Sequence, residues 1–147
     1  MFMKKKLKAF SLVEIMVAII ILVTITLLIV PRLTGKTEKA RRSAALIDIE
    51  SGISAALDEY EADNGRYPTT EQGLKALNKK PISSPIPNNW QGPYIKKKKI
   101  LDPWGLKYQY KSPGEHNKMS YDLSSFASDG KKGGAGIDKD INNWDED

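Results

Sequence analysis

The first third of the chain changes its hydrophobic pattern once, and the change separates two kinds of helix. From Phe10 to Val30 nearly every position is apolar, and Glu14 is the single charge. About 20 apolar residues span a bilayer as a helix. Beyond Pro31 the pattern becomes periodic. Leu46, Ile49, Ile53, Leu57 and Tyr60 recur at spacings of three and four, and Ala45, Ile47 and Ala56 widen the stripe. Asp48, Glu50, Asp58, Glu59 and Glu61 fall on the opposite face. This predicts an amphipathic helix over 32–62, half-buried on a small domain. Pro31 removes one backbone hydrogen bond, which kinks a helix without necessarily ending it. The N-terminal half therefore reads as one long, kinked helix. In "ADNG", Gly65 suits the left-handed residue that closes a helix.

Residues 63–125 switch to short elements and loops. Thr69 and Gln72 have the spacing of a capping box and predict a short helix through Asn78. The stretch "PISSPIPNNW" reads as an extended loop. In "LDPWG", Pro103 takes the second turn position and Gly105 the fourth. Leu106, Tyr108 and Tyr110 then alternate, and "KMSYDLSSF" alternates again and can pair with them as an antiparallel strand. The expected class is α+β: a long helix packed on a small antiparallel sheet. No internal repeat is present. The globular remainder is about 100 residues, small enough that its core needs further support.

Composition narrows the source of that support. There is no cysteine, which excludes disulfides, thiolate metal sites and cysteine nucleophiles. Packing, oligomerisation or a metal remain. The formal charge is +5, and Lys4, Lys5, Lys6 and Lys8, all ahead of the apolar run, supply most of it. The basic balance belongs largely to a processing segment and is no argument for nucleic-acid binding. His116 is the sole histidine, so neither a Ser-His-Asp triad nor a metal–histidine set can be built on it, and "PGEHN" makes it a turn residue. Lys96 to Lys99 read as a solvated strand end or loop. Trp90, Trp104 and Trp144 read as core or loop anchors, and Asp102 as a turn residue. With no phosphate-binding glycine loop, paired catalytic carboxylates or nucleophile motif, the chain reads as a non-enzyme.

The basic leader and apolar run are open to three readings. An ordinary signal peptide needs a small-residue cleavage site, which "LLIVPRLTGK" does not offer. A plain anchor tolerates Glu14 near an interface, although basic residues flank both ends of the run. The third reading rests on family likeness. "AFSLVEIMVAIIIL" resembles the class III signal of type IV pilins and pseudopilins. That resemblance implies a leader over 1–9, cleavage between Ala9 and Phe10, and N-methylation of Phe10. It puts Glu14 at mature position five and Pro31 at mature position 22, where many members have proline. Ala9 departs from the usual glycine before the cut. Charged groups in membranes are rare and usually paired. The new Phe10 amine supplies a partner: Glu14 of one subunit against Phe10 of the next.

The rest of the chain sharpens the likeness. "YEADNGRYPTTEQGLKAL", "GPYIKK", "DPWGLKYQYKSPGEHN" and "DINNW" closely resemble the major pseudopilins of type II secretion systems. The resemblance implies a type IV pilin-like fold, with leader 1–9, membrane and assembly helix 10–30, and periplasmic domain 31–147. It also implies a single-pass subunit of the bacterial inner membrane that forms a homopolymeric periplasmic filament driving export of folded proteins. Implied partners are minor pseudopilins, the inner-membrane platform and its ATPase, the prepilin peptidase and the outer-membrane secretin. The alternative is a type IV pilin of a surface adhesion or motility filament.

The segment 126–144 has few core-forming groups. It combines Asp129, Asp138 and Asp140 with Gly130, Gly133, Gly134 and Gly136. Calcium takes several oxygen ligands on a tightly wrapped backbone, and glycines permit such wrapping. The ligand order is not that of an EF-hand, and one copy of "GGxGxD" is a weak motif. By pattern alone, a loop of solvated acids remains open. The pseudopilin resemblance implies a calcium site here. Asp129, Asp138 and Asp140 would be its carboxylates, and Phe126 and Ser128 its carbonyl ligands.

Overall fold

Helix α1 (Leu12–Ile47) begins at a capping box that the sequence spells as Ser11-Leu12-Val13-Glu14. The Val13 amide donates to Ser11 Oγ (3.3 Å), and the Ser11 amide donates to Glu14 Oε2 (3.0 Å). Two orphan donors of the first turn are thereby satisfied. The computed structural model describes residues 10–145. The expected leader 1–9, with Ala9, lies outside the described residues. So do 146 and 147, and the side chains of 26–35 with any bend at Pro31. The backbone remains helical through Pro31.

The chain forms two units, Met1–Thr37 and Glu38–Asp147. In the first, the described large apolar side chains from Phe10 to Ile25 are 47% to 81% exposed, so this stretch of helix buries none of them fully. Among the described residues, no helix is long and apolar enough to cross a membrane. The described side chains of the apolar run end at Ile25, short of its end at Val30.

In the second unit, helix runs from Glu38 to Asn64 with one change of pitch. A π-helical stretch, Asp48–Gly52, separates α1 from α2 (Ile53–Asn64). The Ile53 amide reaches five residues back to the Asp48 carbonyl, and the Ser54 hydroxyl binds the Ile49 carbonyl. Ala45, Ile49, Ile53, Ala56, Leu57 and Tyr60 are buried, as the expected stripe requires. Ile47 departs from it and is 62% exposed. The change of pitch that follows keeps Ala45 and Ile49 on the core side, and Ile47 between them falls outside. Gly65 closes α2 in the left-handed conformation (φ 71°), its amide bonded to the Glu61 carbonyl.

The expected helix from Thr69 is shorter than the spacing suggests. Both capping bonds form: Thr69 amide to Gln72 Oε1 (3.1 Å) and Gln72 amide to Thr69 Oγ1 (3.2 Å). Gly73 then turns to φ 57°, and only a 3₁₀ turn, Leu74–Leu77, follows. A capping box is a local contact that a turn can satisfy without a helix behind it. Ala76 and Leu77 join the core, and the Ala76 carbonyl accepts from Trp90 Nε1 (2.9 Å).

The turn Asp102–Gly105 forms as expected, closed by the Gly105 amide on the Asp102 carbonyl (2.9 Å). Asp102 does more than turn the chain. It is buried; its Oδ1 accepts from the Trp104 and Leu106 amides, and its Oδ2 from Ser125 Oγ (2.6 Å). Trp104 reaches the helix through Nε1 to Glu38 Oε2 (2.8 Å). The sheet is antiparallel in the order β1 (Gln109–Lys111), β2 (Asp122–Ser125), β3 (Ile141–Asn142). Tyr110 faces Leu123, and Ser125 faces Ile141 in register. Every residue of the central strand is buried, and Leu123 and Ile141 pack with Tyr108, Tyr121 and the helical stripe. Burial, with Asp48 near its hydroxyl, pushes the Tyr108 phenol well above its ordinary value.

Candidate functional site

Two places gather the residues expected to matter. At the helix start, Phe10 is 81% exposed and Glu14 folds back onto the Ser11 amide. Its neighbours Val13, Val17, Ala18 and Ile21 line a shallow apolar groove beside it. Glu14 is thus already the N-terminal lock of α1 within a single chain. The Ser-x-x-Glu spacing carries that signal in the sequence.

The second place is the C-terminal loop between β2 and β3. It opens at Ala127, which is fully buried and sits at φ 52°. A left-handed alanine costs about 1 kcal/mol or more. Here burial and the bond from its amide to Ser125 Oγ (3.2 Å) hold it. Gly130, Gly133, Gly134 and Gly136 all have positive φ, so the chain wraps as the glycine content suggested. Gly134 also approaches the Asp138 carbonyl so closely that a Cβ there would lie 2.4 Å from the oxygen.

The three expected carboxylates differ. Asp138 Oδ1 accepts from the Ser128 hydroxyl, which joins the two ends of the loop. Asp140 Oδ2 accepts from the Gly133 amide (2.8 Å), while its Oδ1 is buried with no hydrogen-bond partner. Asp129 is exposed and caps the Lys131 amide (3.0 Å). Among the described residues no group of three or more His, Cys, Asp or Glu is drawn together as a metal cluster. An oxygen-only donor set with one buried, unpartnered carboxylate oxygen still fits a hard cation such as calcium, which binds carboxylate and carbonyl oxygens.

Two residues outside this set hold the surroundings. Arg42 on α1 donates through Nη1 to the carbonyls of Ile137 (3.2 Å) and Lys139 (2.6 Å). Asp122, on β2, gathers the "PGEHN" turn. Its carboxylate accepts from the amides of Glu115 (2.7 Å), His116 (3.0 Å) and Asn117 (2.9 Å) and meets His116 Nδ1 (3.0 Å). Burial pushes the Asp122 carboxyl up, but these hydrogen bonds outweigh it and hold the group below its usual range. His116 in turn stacks flat on Trp144, ring centres 4.2 Å apart. No sequence signal pointed to Arg42 or Asp122, because both act on partners distant along the chain or in a turn of no fixed motif. Of the Lys96–Lys99 run, all four are exposed and Lys97 pairs with Asp48 (2.7 Å).

The family described as Type II secretion system (T2SS), protein G matches residues 32–144. The chain belongs to this family. It is 45% identical over 142 residues to the type II secretion system core protein G of Pseudomonas aeruginosa, covering 97% of this chain and 98% of that protein. It is 45% identical over 141 residues to the core protein G of Vibrio cholerae, covering 95% and 93%. The crystal structure of the major pseudopilin from the type 2 secretion system of enterohaemorrhagic Escherichia coli superposes with a TM-score of 0.63 at 40% identity. It covers 78% of this chain and 95% of that one. Family membership makes this chain a structural pseudopilin subunit of the secretion system with a pilin-like α+β fold, and not an enzyme. It favours the secretion pseudopilin over the surface pilin.

Proposed function

We propose that this subunit is a single-pass protein of the bacterial inner membrane, cut before Phe10 and methylated there. It polymerises through its N-terminal helix into a periplasmic filament that drives folded proteins across the outer membrane. The observation that carries this is the exposed apolar surface from Phe10 to Ile25, interrupted only by Glu14 as a charge. An apolar helix surface of this size needs lipid, a second copy, or both in turn. The prepilin peptidase, minor pseudopilins, platform protein, ATPase and secretin are the partners this role requires. Mass spectrometry of the membrane-extracted protein tests the processing: the expected N-terminus is a methylated Phe10. A chain beginning at Met1, or one beginning inside the apolar run, overturns it.

Calcium is proposed as the structural cation of the C-terminal loop. Asp129, Asp138 and Asp140 would hold it through carboxylates and Phe126 and Ser128 through carbonyls. The bound ion would draw the three acids together, neutralise them and order a loop that no disulfide can tie. The support is the unpartnered buried Oδ1 of Asp140 in a glycine-wrapped, oxygen-rich segment. A ligand that binds only the folded state at a hundred times its dissociation constant adds about 2.7 kcal/mol. The full chain in detergent is therefore expected to melt several degrees lower in chelator, and excess calcium to restore the transition. An unchanged melting temperature across that cycle overturns the assignment.

A further inference from the structure

We propose that Arg42 is a positioning residue for the cation site of the C-terminal loop, an inference that rests on the calcium reading above. Its guanidinium binds the carbonyls of Ile137 and Lys139, the residues on either side of Asp138. Those two carbonyls are thereby directed to the helix. Asp138 stays free to meet Ser128 across the loop, and Asp140, next after Lys139, keeps its Oδ1 without a partner. Arg42 and Asp140 line the same groove, together with Lys39 and Lys139.

The loop needs such an anchor. Gly133, Gly134 and Gly136 all sit at positive φ, so this stretch has much conformational freedom to lose when a cation binds. One guanidinium nitrogen that holds two carbonyls at once orders the backbone before the ion arrives, and the rigid, planar guanidinium keeps that nitrogen in place. Arg42 also carries a positive charge beside a divalent site. Coulomb repulsion alone makes it a liability for calcium. A residue that repels the ion yet promotes its binding can do so only by fixing the ligands.

That opposition gives the test its sign. Calcium chloride is titrated calorimetrically into the full chain in detergent, as parent, Arg42→Ala, Arg42→Lys and Lys39→Ala, with circular dichroism as the check on folding. Removing a partner that orients metal ligands typically weakens affinity by about tenfold or more. Arg42→Ala is expected to show that loss, although it removes a repelling charge. Lys39→Ala, which removes a charge from the same groove without touching the loop, is expected to bind unchanged or tighter. Arg42→Lys keeps the charge but puts a flexible, strongly hydrated ammonium in place of the rigid guanidinium nitrogen, and is expected to bind weaker than the parent. If Arg42→Ala does not fold, Arg42→Lys decides the matter in the same way. A parent that binds calcium, with arginine variants that bind equally well or better, overturns the role of Arg42 and leaves the calcium reading standing. A parent that binds no calcium overturns both.

Discussion

A Glu14→Gln subunit is expected to insert in the membrane normally and to form no filaments. Glu14 has two roles that a larger substitution confounds. It locks the first turn of α1 by accepting from the Ser11 amide, and it is proposed to meet the Phe10 amine of a neighbouring subunit. Glutamine fills the capping position as well as glutamate does, so it preserves the first role and removes only the charge needed for the second. Breaking one partner of a pair taken out of water costs about 3 kcal/mol or more. That is more than a hundredfold in an association equilibrium. Glu14→Leu is expected to fail equally, losing the cap as well. Filament yield after overproduction, with membrane fractionation as the control, reads the outcome. Normal filaments from Glu14→Gln beside none from Glu14→Leu assign the requirement to the cap and remove the charge pair.

The largest loss of stability is expected from Asp122→Ala. The substitution strands the Glu115, His116 and Asn117 amides and the His116 ring, whose hydrogen bonds now end on one carboxylate. Hydrogen bonds to a charged group are the strong ones, and donors left unpaired add their own penalty, so a cost of about 3 kcal/mol follows. For a domain of this size that lowers the melting temperature by roughly 10 °C. The pH dependence has a definite sign. The carboxyl is held below its ordinary value in the folded state, so its contribution is complete above about pH 4. It is lost as the pH falls through the lowered folded value. Thermal unfolding of the full chain, followed by circular dichroism from neutral to acid pH, is expected to give the parent a steeper acid limb than Asp122→Asn. If Asp122→Ala melts within about 2 °C of the parent at neutral pH, the carboxylate is not the hub of this turn.

What could be read from the sequence was whatever depends on near neighbours. The buried stripe of α2, the glycine that ends it, the Asp102–Gly105 turn and the pairing of β1 with β2 are all set within a few residues or by strict alternation. The pattern of Thr69 and Gln72 was read correctly as a cap and wrongly as the start of a longer helix, because the left-handed Gly73 stops what the cap begins. At the candidate sites, Phe10, Glu14 and the three aspartates were visible as unusual residues in unusual surroundings. Arg42 and Asp122 were not. A surface arginine on an amphipathic helix resembles any other until the loop 95 residues later folds onto it. Strand β3 escaped notice for a similar reason, since two residues carry no alternation to recognise.

The π-helical stretch at Asp48–Gly52 bears on how this helix keeps time with its core. Buried positions at Ala45, Ile49, Ile53 and Leu57 recur strictly every four residues. In a regular α-helix a four-residue step overshoots one turn by about 40°, so such a series winds steadily off the core. The wider turn, bonded five residues back, undershoots instead and cancels the drift at mid-series. The stretch is a phase corrector set between two segments whose repeats would otherwise slip apart. What it encodes is length as much as identity: Glu50 and Ser51 are exposed and open to exchange, while Ile49 is buried and Asp48 pairs with Lys97, and dropping a single residue swings Arg42 and Ala45 about 100° around the axis and away from the loop and core they serve.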